Sequence, residues 1–191
     1  VGCSQRKSHD PLKVLANAAA SGKFLYGHQD DLVYGKAWNV GTDSLSIAEF
    51  PVNQSDIKSV CGEFPAIAGF DLAGIEIGDE RNIDGVPFDL MRKTAETHVS
   101  RGGLVTFSWH PRNPFTGGDA WDVSSTEAVR SILEGGENHD KFMDWLSRAA
   151  DFLESVKGND GRPVPVIFRP FHENTASWVW WGGDLCTPEA Y

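Results

Sequence analysis

The chain has 191 residues, 40% of them apolar and 23% charged, and a net charge of −10. That suffices for one cored domain but falls short of the roughly 250 residues of a whole β/α barrel. So acidic a surface repels phosphate backbones, which excludes nucleic acid as a partner and leaves neutral substrates open.

Val1-Gly2-Cys3-Ser4 is similar to the end of a bacterial lipoprotein signal, where a Cys after a small residue carries lipid. Residues 1–9 are therefore expected to form a membrane tether through Cys3, placing the protein in the bacterial cell envelope, as a periplasmic or surface lipoprotein, or else among secreted proteins. The cysteines Cys3, Cys61 and Cys186 are too few and odd in number for a disulfide framework, although one Cys61–Cys186 bridge stays open. No apolar run approaches the length of a membrane span. Asp10-Pro11 reads as a cap and first turn, with Leu12, Leu15, Ala16 and Ala19 on one helical face and Gly22 as the stop. A first β-rich segment, 24–27, leads into His28-Gln29-Asp30-Asp31. Ile57, Val60 and Cys61 mark a short helix after Ser55, and a second strand over 65–70 leads into Asp71. Phe88, Met91, Ala95 and Val99 make a helical stripe ending at Gly102-Gly103. A third strand over 104–109 leads into His110-Pro111. The strongest stripe, from Phe142 through Trp145 and Ala149 to Val156, closes at Gly158, and a fourth strand over 164–169 leads into Pro170-Phe171-His172-Glu173.

Near-continuous apolar strands alternating with helices predict an α/β fold with a parallel sheet buried on both sides. The segments after the strands are long and rich in Gly, Asp, Asn and Trp, as in 74–85 and 113–136, while those entering the strands are short. That asymmetry predicts a (β/α)8 TIM barrel with its site at the C-terminal face. Four strands are half of what the barrel needs, so the chain is expected to supply about the first four βα units. An open doubly wound sheet is the alternative, but no Gly-rich phosphate loop follows the first strand.

The chemistry concentrates in Arg169-Pro170-Phe171-His172-Glu173-Asn174. A carboxyl between Phe171 and a loop carrying Trp178, Trp180 and Trp181 is expected to lose hydration, which favours the neutral, proton-donating form of a general acid. Trp180 and Trp181 are expected in the core. Asp79-Glu80-Arg81 reads as a solvated turn. His28 and Asp71 stand between site and structural roles, and His9, His98 and His139 receive none.

These residues resemble glycoside hydrolase family 26, dominated by β-mannanases. The resemblance runs through Tyr26-Gly27-His28-Gln29-Asp30, Gly69-Phe70-Asp71, Ser108-Trp109-His110-Pro111 and Arg169-Pro170-Phe171-His172-Glu173-Asn174 with Trp178. It implies a (β/α)8 barrel, with 10–191 as the N-terminal half of the catalytic domain, and retaining hydrolysis of β-1,4-linked mannan or galactomannan without a cofactor. Glu173 matches the acid/base and His172 a residue that positions the catalytic centre. Arg169 matches a residue supporting the carboxylates, and His110 and Trp178 match sugar contacts, with Trp121 a neighbouring platform. The nucleophilic Glu of that family comes from strand seven, so it is expected outside this chain, which alone is expected to hydrolyse little or nothing. Two other readings compete. His28, His110, His172 and Asp71 would suit a metal-dependent barrel hydrolase, but strand one lacks a second His one residue away, and no metal is expected. A non-catalytic glycan-binding fragment, using its Trp platforms alone, is the other.

Overall fold

The structure, a computed structural model, describes residues 10–40 and 53–191; the expected tether at 1–9 lies outside them. Helix α1 (Pro11–Ala20) opens as the sequence requires: Asp10 accepts from Leu12 N at 3.0 Å and Pro11 sits in the first turn. Such a cap contributes about 1 kcal/mol. Strand β1 (Gly27–Gln29) is followed by a small antiparallel pair, β2 (Tyr34–Gly35) and β3 (Trp38–Asn39). Helix α2 (Asp56–Cys61) is capped by the Ser55 hydroxyl, which accepts from Lys58 N at 2.9 Å. Next come β4 (Ile67–Asp71), a 3-10 turn (Ile75–Ile77), α3 (Phe88–Ser100), β5 (Leu104–Trp109), α4 (Ala128–Ile132), α5 (His139–Ser155) and β6 (Ile167–Pro170).

The main sheet has the order β1-β4-β5-β6. Strand β1 pairs with β4 in parallel, Gly27 opposite Ile67 and Gln29 opposite Gly69. Leu104 N donates to Ala66 O and Leu72 N to Ser108 O, each at 2.9 Å. Both bonds advance the same way along the two strands, so β4 and β5 also run parallel, with Asp71 beside Ser108. Helices connect consecutive strands of this sheet, the βαβ pattern of a barrel.

By contact density the chain forms two compact units. The first comprises the described residues up to Phe70, together with Val86–Phe107 and Leu153–Phe168. In it the Phe70 and Phe107 rings stack at 5.5 Å, and Met91, Ala95 and Val99 of α3 are buried, as their spacing predicts. Arg101 and Lys58 both lie over the Phe64 ring. Three expectations fail in this unit, one being the start of the fourth strand, which runs from Ile167 and not from Val164. Paired register in β1 runs from Gly27 to Gln29, so 24–26 lead into the strand instead of forming it, and Tyr26 O accepts from Ala66 N just before it. The α1 stripe is not core: Leu12 is 78% exposed and Leu15, Ala16 and Ala19 are exposed with it. The cap and the Ala-rich sequence make this helix without burial of that face.

The second unit comprises Asp71–Gly85, Ser108–Phe152 and Arg169–Tyr191. Its core is aromatic: Phe142 stacks on Trp109 at 5.8 Å and on Phe171 at 5.9 Å, and Phe171 meets Trp180 edge-on at 5.7 Å. Pairs of this kind contribute about 0.5–1.5 kcal/mol each beyond burial. Trp180 and Trp181 are fully buried with Ala120, Ala128, Val129 and Val179. Cys61 and Cys186 are free thiols, so the bridge left open by the sequence is not formed.

Candidate active site

Asp71, His110, His172 and Glu173 all belong to the second unit, at or just past the ends of β4, β5 and β6. The β4–β5 register places Asp71 beside Ser108. Asp71 is buried, and its Oδ2 accepts from Ser108 Oγ at 2.6 Å and from His110 Nδ1 at 2.7 Å. Its Oδ1 accepts from Ala73 N at 2.8 Å. Burial alone would raise the Asp71 carboxyl. The His110 hydrogen bond and charge, with Ser108 and Ala73 N–H, outweigh it and hold the group below its ordinary value. Burial likewise works against a charged His110, but Asp71, with the charges of Glu173 and Asp84, raises its pKa.

A second carboxylate fixes the turn that carries His110. Glu76 is 1% exposed. It accepts from Trp109 Nε1 at 3.0 Å, Arg112 N at 2.9 Å and Gly74 N at 3.0 Å. Between those two anchor points Trp180 Nε1 donates to Pro111 O at 2.9 Å. The 109–112 backbone is thereby held on both sides of His110.

After β6 the chain turns sharply around His172, because Phe171 and Glu173 both take left-handed φ, 50° and 61°. Tyr191 Oη donates to Phe171 O at 2.6 Å and Trp181 Nε1 to His172 O at 2.8 Å, holding the turn. His172 meets the His110 ring edge-on at 4.4 Å. Burial lowers the His172 pKa, as do the charges of His110 and Arg169, against the opposing pull of Asp71 and Glu173. The two imidazoles are thus biased apart, His110 toward the cation and His172 toward the neutral ring. Trp121 stacks on His110 at 5.5 Å with 23° between the planes. A cavity of about 170 Å³ opens here, lined by Asn82, His110, Arg112, Asp119 and Trp121 among others.

The structure therefore brings His110, His172 and Trp121 together, and Glu173 joins them: one donor atom from each of His110, His172 and Glu173 lies within 4.8 Å of the others. Trp178 Nε1 donates to Glu173 Oε2 at 3.1 Å. Arg169 is exposed and acts on this group through its charge on His172. The dehydrated setting expected for Glu173 is not found. Its side chain is exposed, because Trp180 and Trp181 turn into the core and leave only Trp178, itself 55% exposed, beside it. His28 belongs to the first unit, where its Nδ1 engages Gln29 O at 2.8 Å. Asp71 resolves to the partner of His110. Glu76 gave no signal in the sequence, being one acid in a long loop whose partners lie more than thirty residues on.

Comparison with known proteins follows the same lines. The sequence model described as "Glycosyl hydrolase family 26" matches residues 14–191. A mannan endo-1,4-beta-mannosidase of Bifidobacterium adolescentis is 34% identical over 73% of this chain and 14% of its own length. One of Bacillus subtilis is 33% identical over 73% of this chain and 37% of its own. The solved structure of a GH26 beta-mannanase from Bacteroides ovatus superposes with a TM-score of 0.85 at 44% identity, over 97% of this chain and 52% of that one. The chain thus spans about half or less of the length of these relatives.

Proposed function

Because the chain belongs to glycosyl hydrolase family 26, we propose that it forms part of a catalytic domain that cleaves β-1,4-mannosidic linkages in mannan or galactomannan. In this reading residues 10–191 supply four βα units of the barrel, and Glu173 is the general acid and base. What carries it is the place of Glu173: just past β6, hydrogen-bonded to Trp178, beside His172, His110 and an open aromatic face at Trp121. The names of the relatives support the substrate.

The reaction proposed is a retaining double displacement. The Glu173 carboxyl gives its proton to the glycosidic oxygen as the C–O bond breaks. A second carboxylate, supplied from outside these residues, attacks the anomeric carbon. Glu173, now ionised, then takes a proton from the water that releases the sugar. Trp178 Nε1–H on Oε2 orients the carboxyl and leaves its other oxygen for the proton. Sugar occupies Glu173 only when bound, and its arrival removes the water that an exposed carboxyl otherwise keeps. Trp121 and Trp178 offer flat surfaces to pyranose rings, and His110, with Nδ1 on Asp71, leaves its other ring nitrogen for a sugar hydroxyl. His172 and Arg169 position the group through contact and charge.

In protein carrying the whole barrel, Glu173→Ala is expected to lower kcat on unactivated mannan by several orders of magnitude, read as reducing-sugar release. Near-normal turnover would remove Glu173 from its role. A location in the cell envelope through lipid on Cys3 completes the proposal. Cys3→Ala is expected to move the protein from the membrane to the soluble fraction, and unchanged fractionation would refute the tether.

A further inference from the structure

We propose that His110, His172 and Glu173 form a binding site for a borderline-soft divalent cation of the Zn²⁺ class, and that such an ion locks the site instead of serving it. One donor atom from each residue lies within 4.8 Å of the other two. Three ligands at roughly 2.1 Å in a tetrahedral arrangement sit roughly 3.4 Å apart, so closure needs a shift on the order of 1 Å. Glu173 is exposed and able to make it, and Trp178 engages only one of its oxygens.

The two imidazoles are suited to the task in different ways. His110 has Nδ1 on buried Asp71, whose remaining contacts to Ser108 and Ala73 keep the carboxylate in place. A carboxylate behind one ring nitrogen, leaving the other for an ion, is the arrangement that orients metal-binding histidines and raises their basicity. His172 Nδ1 is buried with no hydrogen-bond partner among the described residues, so the ring is not committed to a structural contact through that atom. Imidazole, imidazole and carboxylate are ligands that Zn²⁺ accepts, and three protein ligands leave one position open. Binding would hold the Glu173 carboxylate ionised and coordinated. The consequence for catalysis rests on the acid/base role proposed above, whereas the binding does not.

The test uses Zn²⁺ alone, titrated into chelator-treated protein carrying the whole barrel in which Cys3, Cys61 and Cys186 are Ser, and is followed by calorimetry and by long-range ¹H–¹⁵N spectra of the histidine rings. Expected are one ion per chain and changed ring signals of His110 and His172, with those of His139 unmoved. His172→Gln and Glu173→Gln are each expected to weaken binding at least about tenfold. Absence of saturable binding overturns the proposal, as does stoichiometric binding that leaves the His110 and His172 signals untouched. The ring signals report on the unsubstituted site, so the proposal stands or falls on them even where a variant fails to fold. Catalytic failure of Glu173 would leave every one of these outcomes unchanged.

Discussion

Replacing Asp71 by Asn keeps the shape of the side chain and removes its charge. His110 Nδ1–H and Ser108 Oγ–H both point at Oδ2, and Ala73 N–H at Oδ1. Asn has one acceptor oxygen for these three donors, and its amide hydrogens then face either the imidazole or the Ala73 N–H. Hydrogen bonds to a charged group contribute about 1.5–3 kcal/mol each, and removal of the carboxylate also relieves its desolvation. A net loss of about 2–3 kcal/mol follows where both partners are charged. The pH window comes from the two shifts. Asp71 lies below its ordinary 3.8 in the folded state, so its contribution is present above 3.8 and is lost as pH falls through the folded value. His110 lies above its ordinary 6.5, so its contribution is full below 6.5 and is lost as pH rises through the folded value. The difference between wild type and Asp71→Asn is therefore expected to be largest at about pH 5 to 6 and to shrink in alkali. Urea unfolding at both pH values measures it, and an NMR titration of His110 is expected to show its midpoint falling in the variant. An equal loss at both pH values, with the His110 midpoint unmoved, would refute the pairing.

Two further outcomes concern buried groups. Glu76→Ala leaves Trp109 Nε1, Arg112 N and Gly74 N without their buried acceptor, and is expected to cost roughly 3–5 kcal/mol in chemical denaturation; a loss under about 1 kcal/mol would show that water from the adjoining cavity replaces the carboxylate. His98 is buried in α3, and burial, with the Arg101 charge, lowers its pKa despite Ala66 and Asp31. Its lowered folded value makes stability present above 6.5 and lost as pH falls below it, by about 1.4 kcal/mol for each unit of lowering. His98→Leu is expected to flatten the melting temperature against pH on that acid side, and an unchanged slope would assign the acid limb to other groups.

What the sequence disclosed was mostly local. The Asp10 cap, the short helix after Ser55, the six residues of β5 and the stripe of α5 each rest on neighbours within a turn or two, and each appears at the expected place. Distant partners account for the rest. The β2–β3 turn carries no Asn-Gly signal; Asp56 makes it, accepting from Lys36 N at 2.6 Å and Trp38 Nε1 at 3.1 Å. The α1 stripe looks like core because periodicity records which face a helix could bury, not whether anything covers it. At the site, the motifs after β5 and β6 announced His110, His172 and Glu173. The Asp71–His110 pair became visible only through strand register, and the exposure of Glu173 depends on where the neighbouring indoles turn.

The backbone at Phe171 and Glu173 has a consequence for how this chain tolerates change. Left-handed φ at a residue with a Cβ costs on the order of 1 kcal/mol or more, a cost that Gly or Asn largely escapes. Folding alone would thus prefer a small residue where the proposed acid/base stands. Gly or Asn at position 173 is therefore expected to stabilise the turn after β6 while removing the carboxyl it carries.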